Sequence, residues 1–125
     1  VSGNRDGPVV IALGGISADR FAAVGRDGGP GWWPGMVGAG RAIDPARNLI
    51  VGIDFAADET GRAAPSTFDQ AEILSSVLDA VGTSRATLVG ASYGGMVGLA
   101  LAEACPDRVR RLAIISAPAE PWPAD

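Results

Sequence analysis

The sequence predicts an α/β fold in which a mostly parallel sheet is connected by crossover helices. Short apolar runs rich in β-branched residues alternate along the 125 residues with segments whose apolar side chains recur at helical spacing. This alternation, without any internal repeat, is typical of parallel sheets. Most runs are apolar at consecutive positions, which indicates strands covered by helices on both faces. We therefore expect one α/β domain, or part of one.

Four strands are predicted from these apolar runs. The first is followed by Gly14-Gly15 and the second by Asp54, and both kinds of residue commonly end strands. The third leads directly into a serine between two glycines. The predicted strands cover residues 8–13, 48–53, 87–91 and 109–116.

Two helices are predicted between the later strands. The first begins at a capping box in which Thr67 and Gln70 satisfy each other's backbone amides, and it ends at Gly82. The second begins after Ser92 and ends before Pro106, which cannot continue a helix. Both helices are expected to be crossover connections.

Residues 14–47 form a long glycine-rich stretch without clear periodicity, which is typical of a binding loop. Trp32 and Trp33 at its centre would either line an apolar acyl or pantetheine channel or simply cover the sheet. Arg41 is a candidate for meeting an anionic substrate, although a solvated loop arginine is the commoner case. Asp54 ends a strand and is expected to be structural.

Composition excludes several classes of function. Fourteen acidic residues against ten arginines give a net charge of −4, which argues against a nucleic-acid or anionic-membrane surface. No apolar segment approaches the roughly 20 residues that span a bilayer. The single cysteine, Cys105, is expected to be a small buried side chain, and the absence of histidine leaves no zinc site. We expect a cytoplasmic protein with no bound metal or cofactor.

The pentapeptide Gly90-Ala91-Ser92-Tyr93-Gly94 matches the G-x-S-x-G nucleophile elbow, with a predicted strand before it and a helix after it. Ser92 is then the candidate nucleophile, and the Tyr93 amide is one candidate oxyanion-hole donor. The alternative is a turn that only allows close packing or cradles a phosphate, although the lysine of a P-loop is missing.

A second oxyanion donor is expected from the loop after the first strand. Leu13 is the favoured donor and Gly14 its substitute, because a glycine pair lets backbone amides approach a reacting carbonyl. An ordinary tight turn is the alternative for this glycine pair.

A serine nucleophile needs a base, and the sequence contains no histidine. In the elbow fold the acid and then the histidine follow the serine along the chain. We therefore expect residues 1–125 to be the N-terminal part of a larger enzyme domain, inactive without its acid and base. A non-catalytic descendant of the fold is the competing explanation.

Several blocks of the sequence resemble the homoserine O-acyltransferases of the α/β-hydrolase superfamily. They are ALGGISADR, GWWPGMVGAGRAID, VGIDF, FDQAEILSSVLDAVG and VGASYGGMVGLALAEACPDRVRRLAIISA, in the family's order. The resemblance implies that acetyl-CoA or succinyl-CoA acylates Ser92 and that the homoserine hydroxyl then takes the acyl group. It also implies that the Leu13 and Tyr93 amides form the oxyanion hole. A homodimer is a candidate assembly of the complete enzyme.

The chain also departs from that family. Relatives often have a histidine where Phe21 stands, and the segment after VGIDF is short and divergent. The acyl donor and the acceptor therefore stay open. A serine esterase of the same fold, or a non-catalytic module, is the alternative function.

Overall fold

The computed structural model of the protein describes residues 1–15, 19–25, 27–29, 31–55 and 65–115. Five strands and two helices are found there, and a 3₁₀ turn at Pro106–Arg108 precedes the last strand. The helices are α1 (Thr67–Val81) and α2 (Tyr93–Ala104). The strands are β1 (Ser2–Gly3), β2 (Val9–Leu13), β3 (Leu49–Gly52), β4 (Ala86–Ala91) and β5 (Val109–Ile115).

The strands form one sheet in the order β1-β3-β2-β4-β5, and every pair except β1 with β3 is parallel. The predicted mostly parallel sheet with crossover helices is thereby confirmed, and each predicted strand overlaps an observed one. Strand β1 was not predicted. It has two residues and pairs antiparallel with Leu49 and Ile50, so its own sequence carries no periodic signal.

Helix α1 begins one residue earlier than the sequence suggested. Its N-cap is Ser66, whose hydroxyl accepts from the Asp69 amide at 3.1 Å, while the Asp69 carboxylate accepts from the Ser66 amide at 2.8 Å. The predicted box of Thr67 with Gln70 is therefore wrong. Gly82 ends the helix with a φ of 87°, as predicted, in the left-handed conformation that glycine adopts readily.

Both helices pack on one face of the sheet. Apolar side chains of α1 and α2 form a core there with residues that alternate along the strands. On the other face, Val37, Ile43 and Trp33 from the long loop pack against the sheet. Among the described residues, the expectation of helices on both faces is therefore wrong. The fully buried members of the helix-side core include Ile11, Leu13, Leu74, Leu78, Leu88, Val97 and Leu101.

Within the described part of the chain, neither helix is long and apolar enough to cross a bilayer.

Arg108 ties the 3₁₀ turn to the end of α1. Its guanidinium donates to the carboxylate of Asp79 at 2.7 Å and to the hydroxyl of Ser75 at 3.0 Å. The same group donates to the backbone carbonyls of Thr83 at 3.0 Å and Ser84 at 3.1 Å. The Arg108 side chain is only 20% exposed. These hydrogen bonds therefore fix the connection between α1 and β4.

We expect Arg108→Lys to lower the free energy of unfolding by about 1–3 kcal/mol, because an ammonium cannot reproduce the branched set of donors and leaves carbonyls unsatisfied. Urea denaturation of the protein measures this change. Arg110→Lys, at an exposed position of β5, is the matched control and should change stability little. Equal losses in the two variants would contradict the role assigned to Arg108.

Candidate active site

Ser92 occupies the turn between β4 and α2 with a strained backbone. Its φ is 54° and its ψ is −121°, and it is the one non-glycine residue with positive φ in the described ranges. Such a conformation costs about 1–3 kcal/mol and persists only where the surroundings enforce it. The Ser92 amide donates to the Ile115 carbonyl at 2.9 Å, and its own carbonyl accepts from the Gly95 amide at 3.0 Å. Ser92 itself is exposed.

The two glycines of the pentapeptide permit this turn sterically. A Cβ at Gly90 would lie 2.6 Å from the Gly94 carbonyl oxygen and 2.7 Å from the Gly95 Cα. A Cβ at Gly94 would lie 2.6 Å from the Leu13 Cβ and would also overlap the Leu13 carbonyl. Strand β4, the turn and the end of β2 are therefore in backbone contact. This packing matches a nucleophile elbow.

The backbone amides of the residues after Ser92 differ in their hydrogen-bond acceptors. The Gly94 amide donates to the Gly14 carbonyl at 2.9 Å, and the amides of Gly95 and Met96 donate to the Ser92 carbonyl. Tyr93 is the first residue of α2, so its amide has no carbonyl one turn earlier within the helix. The helix also places positive partial charge at this end. An oxyanion beside Ser92 would therefore meet the Tyr93 amide in a favourable field.

Leu13 and Gly14 lie at the point where β2 leaves the sheet. Leu13 is in register with Gly90 of β4, and both Leu13 and Gly14 are buried. The Gly14 carbonyl is the acceptor that joins this loop to α2. The loop after β2 and the first turn of α2 are therefore adjacent, as a two-donor oxyanion hole requires. A Cβ at Gly15 would meet no atom within 4 Å, so open space adjoins this point.

The two residues that follow β3 contact Arg20 and Tyr93. Asp54 forms an ion pair with Arg20 at 2.6 Å and also accepts from the Arg20 amide at 2.9 Å. Phe55 lies edge-on to the ring of Tyr93, with 5.0 Å between ring centroids and 84° between planes. The sequence indicated a structural Asp54 but gave no partner. Phe55 was missed, because a lone aromatic after a strand carries no specific signal.

Trp32 and Trp33 stack with 5.1 Å between ring centroids. Trp33 packs against the sheet face opposite the helices. The indole of Trp32 donates to the Asp19 carbonyl at 2.8 Å and so fastens the loop that follows β2. Of the two interpretations left open by the sequence, covering the sheet describes Trp33. Trp32 connects to the segment beside Arg20, and its role towards a substrate stays a prediction.

Arg41 lies away from Ser92. It lines a pocket of about 190 Å³ together with Asp44, Arg47 and Asn48. Asn48 immediately precedes β3, so this pocket is at the amino-terminal edge of the parallel strands, whereas Ser92 follows the carboxyl end of β4. The structure does not bring Arg41 together with the other candidate residues.

Asp44 organises the loop around Arg41. Its pKa lies below the ordinary value because its carboxylate accepts from the backbone amide of Ala46 and, second, of Gly40, with a smaller contribution from the charge of Arg47. The ionised carboxylate is therefore the form that the folded loop favours.

Cys105 is half-buried against the helix-side core, in keeping with a small packing side chain. In the part of the chain that the structure describes, no group of three or more His, Cys, Asp or Glu side chains could hold a metal ion.

Comparison with known proteins identifies similar sequences and structures. Residues 23–125 match the family described as alpha/beta hydrolase fold. The chain is 42% identical over 117 residues to a homoserine O-succinyltransferase of Xanthomonas campestris, covering 91% of this chain and 32% of that protein. It is 37% identical over 106 residues to a homoserine O-acetyltransferase of Deinococcus radiodurans, and the match covers 73% of this chain and 32% of that protein. These relatives confirm the resemblance found in the sequence.

A solved structure agrees with the fold. The crystal structure of a homoserine O-acetyltransferase from Bacillus anthracis superposes with a TM-score of 0.73 over 93% of this chain and 39% of that one, at 20% identity. At that identity the likeness shows the fold alone. The chain spans about a third of the length of the relatives it matches.

The close contact between Gly94 and Leu13 can be tested by substitution. We expect Gly94→Ala to lower the free energy of unfolding by at least about 2 kcal/mol, because the new methyl group meets backbone that cannot move aside. Gly98→Ala in the same helix is the matched control, since its Cβ would meet a movable Leu112 methyl group at 3.0 Å. The control should change stability by less than about 1 kcal/mol, because alanine favours the helix. Urea denaturation compares them, and a tolerated Gly94→Ala would contradict the close approach.

The lowered pKa of Asp44 predicts a pH dependence. The stability that its ionised carboxylate contributes is present above the unfolded-state pKa, near 3.8, and is lost as the pH falls through the lower folded-state pKa. The difference in unfolding free energy between the native protein and Asp44→Asn should therefore shrink between about pH 7 and about pH 3. A difference that stays constant over this range would show that the charge is not involved.

Proposed function

Because this chain belongs to the α/β-hydrolase fold family, we propose that it carries the nucleophile of an acyl-CoA-dependent O-acyltransferase acting on homoserine. The observation that carries the proposal is the positive φ of Ser92 at an exposed turn between a parallel strand and a helix. The names of the two relatives supply the reaction class. We assign this activity to the full-length protein, and we place the reaction in methionine biosynthesis.

The reaction proceeds in two halves through an ester of Ser92. In the first half, the Ser92 Oγ attacks the thioester carbonyl of acyl-CoA and gives its proton to a base. The carbonyl oxygen becomes an oxyanion, to which the amide of Tyr93 and that of Leu13, or of Gly14 as substitute, donate. The carbon–sulfur bond then breaks, the base gives its proton to the sulfur, and CoA leaves as the free thiol.

In the second half, the hydroxyl of homoserine attacks the acyl-serine carbonyl. The base removes the hydroxyl proton, the same amides bind the second oxyanion, and the bond to the Ser92 Oγ breaks as that oxygen regains a proton. An acyl ester of homoserine leaves, and the serine is restored. Water would compete as acceptor, so the transferase must favour the homoserine hydroxyl over water in this half.

The base and its acid come from outside the 125 residues. The sequence has no histidine, and elbow enzymes place the acid and then the histidine after the serine. The length of the relatives, about three times the segment that they share with this chain, supports this assignment. We propose that residues 1–125 supply the nucleophile and the oxyanion donors of one domain, and that they are inactive alone.

The acyl donor and the cellular location of the protein are inferred from the reaction class. One relative is named as a succinyltransferase and the other as an acetyltransferase, so succinyl-CoA and acetyl-CoA are both candidate co-substrates. The proposal needs no bound cofactor, metal, nucleic acid or membrane. It places the protein in the cytoplasm, where acyl-CoA is available, with a homodimer as the candidate assembly.

We expect the full-length protein to release CoA from succinyl-CoA or acetyl-CoA in a homoserine-dependent reaction. Mass spectrometry without homoserine should find one acyl group on Ser92, and homoserine should remove it. Ser92→Ala should lower turnover by roughly 10³-fold or more, because the covalent intermediate cannot form. Ser76→Ala, on the exposed side of α1, is the control and should keep full activity.

Two results would replace this proposal with its alternatives. Hydrolysis of simple activated esters, with CoA release independent of homoserine, would assign a serine esterase. No labelling of Ser92 in the full-length protein by a fluorophosphonate would assign a non-catalytic module.

A further inference from the structure

We propose that Asp54 and Phe55, here called the β3 clamp, are positioning residues for the oxyanion hole. The two residues follow β3 consecutively: Phe55 contacts Tyr93, which carries one proposed donor, and Asp54 contacts Arg20, which follows the other donor segment in the chain. The inference rests on the proposed function, since it assigns these residues to the same acyl transfer. It adds a third strand end to a site otherwise built from the ends of β2 and β4.

Asp54 binds Arg20 through both carboxylate oxygens. Oδ1 accepts from the Arg20 amide at 2.9 Å, and Oδ2 accepts from the Arg20 guanidinium at 2.6 Å. The backbone of Arg20 also lies directly against β3, because a Cβ at Gly52 would overlap the Arg20 carbonyl. The guanidinium lies 4.9 Å from the centre of the Phe21 ring. Arg20, six residues after Gly14, is therefore fixed to the end of β3.

Phe55 holds the first turn of α2. Its ring meets the Tyr93 ring edge-on at 5.0 Å, an arrangement that the quadrupoles of aromatic rings favour. Both rings pack against the helix-side core, so the contact has a rigid base. The amide of Tyr93 is the proposed oxyanion donor, and a fixed Tyr93 side chain restricts the orientation of its backbone.

One hydrogen bond joins the two donor segments directly. The Gly94 amide donates to the Gly14 carbonyl at 2.9 Å and so joins the end of β2 to α2. The β3 clamp adds a contact to Tyr93 at the start of α2 and one to Arg20, which follows β2 in the chain. Catalysis depends on donors held near their working positions, and a misplacement of about 1 Å can cost 10²-fold in rate.

Because the ion pair of Arg20 with Asp54 is exposed, its effect on the reaction rate can be distinguished from an effect on global stability. The side chains of Arg20 and Asp54 are 58% and 46% exposed, and exposed ion pairs contribute little to global stability. A change at Asp54 should therefore affect the rate far more than the folding equilibrium. Asp79, which is 71% exposed and forms an ion pair at 2.7 Å with the 20% exposed Arg108, offers a comparison aspartate at the distant end of α1.

The test uses Asp54→Ala and Asp79→Ala in the full-length protein, with a fluorophosphonate as the probe of Ser92. In phosphonylation the Ser92 Oγ gives its proton to the base and bonds to phosphorus, the phosphorus–fluorine bond breaks and fluoride leaves. The phosphoryl oxygen occupies the oxyanion hole, so the reaction needs no acyl donor. We expect Asp54→Ala to lower the limiting rate constant roughly 10- to 100-fold, while the probe concentration at half-saturation and the melting temperature stay near native values. Asp79→Ala should keep the native rate constant.

A second pair of variants tests the aromatic contact. Phe55→Leu keeps an apolar side chain but removes the ring that meets Tyr93, and it should lower the same limiting rate constant several-fold. Phe68→Leu changes an exposed phenylalanine at the start of α1 and should leave it unchanged. Asp54→Glu keeps the carboxylate and should recover part of the rate lost in Asp54→Ala, which a general loss of stability would not reproduce.

Equal phosphonylation rates in Asp54→Ala and Asp79→Ala would overturn the positioning role. A fall in rate that follows the melting temperature in all variants would also overturn it, because the contacts would then be only structural. Failure of the proposed function looks different: native Ser92 would react with the fluorophosphonate and show the Asp54 effect, yet neither acetyl-CoA nor succinyl-CoA would acylate it.

Discussion

The site depends on the positive φ of Ser92. A serine with this backbone can be held only if β4, the turn and α2 are pressed together, and the missing side chains at Gly90 and Gly94 provide the space. The same closeness brings Gly94 onto the end of β2, which lies beside β4 in the sheet. The proposed oxyanion loop is therefore near the serine because the turn is tight, and the two features form together.

The sheet order explains why three strands meet at one site. Strands β3, β2 and β4 are parallel neighbours, so their carboxyl ends lie along one edge, where open α/β sheets bind ligands. Strand β2 supplies Leu13 and Gly14, β4 leads into Ser92, and β3 leads into Asp54 and Phe55. Arg41 falls outside because it belongs to the loop that enters β3 from the opposite edge.

Features governed by local sequence were predictable, and those governed by distant partners were not. Apolar runs and glycines located the strands and the end of α1, and the G-x-S-x-G spacing located the turn. The cap of α1 was misplaced because Ser66-x-x-Asp69 and Thr67-x-x-Gln70 both fit the capping pattern, and the spacing alone does not decide between them. The ion pair of Arg20 with Asp54 joins residues 34 positions apart, and no local pattern indicates it.

The backbone strain at Ser92 also bears on whether the protein is catalytic or non-catalytic. A turn that served only to connect β4 to α2 would be more stable with glycine at this position, since glycine adopts positive φ without the cost of about 1–3 kcal/mol that other residues bear. Here glycine stands on both sides of the strained residue but not at it. The chain thus bears a local cost that a hydroxyl at the end of the sheet explains and a connecting turn does not. Because the cost falls on the one residue that a nucleophile elbow exposes, it favours a chemical role for Ser92 over a scaffold role.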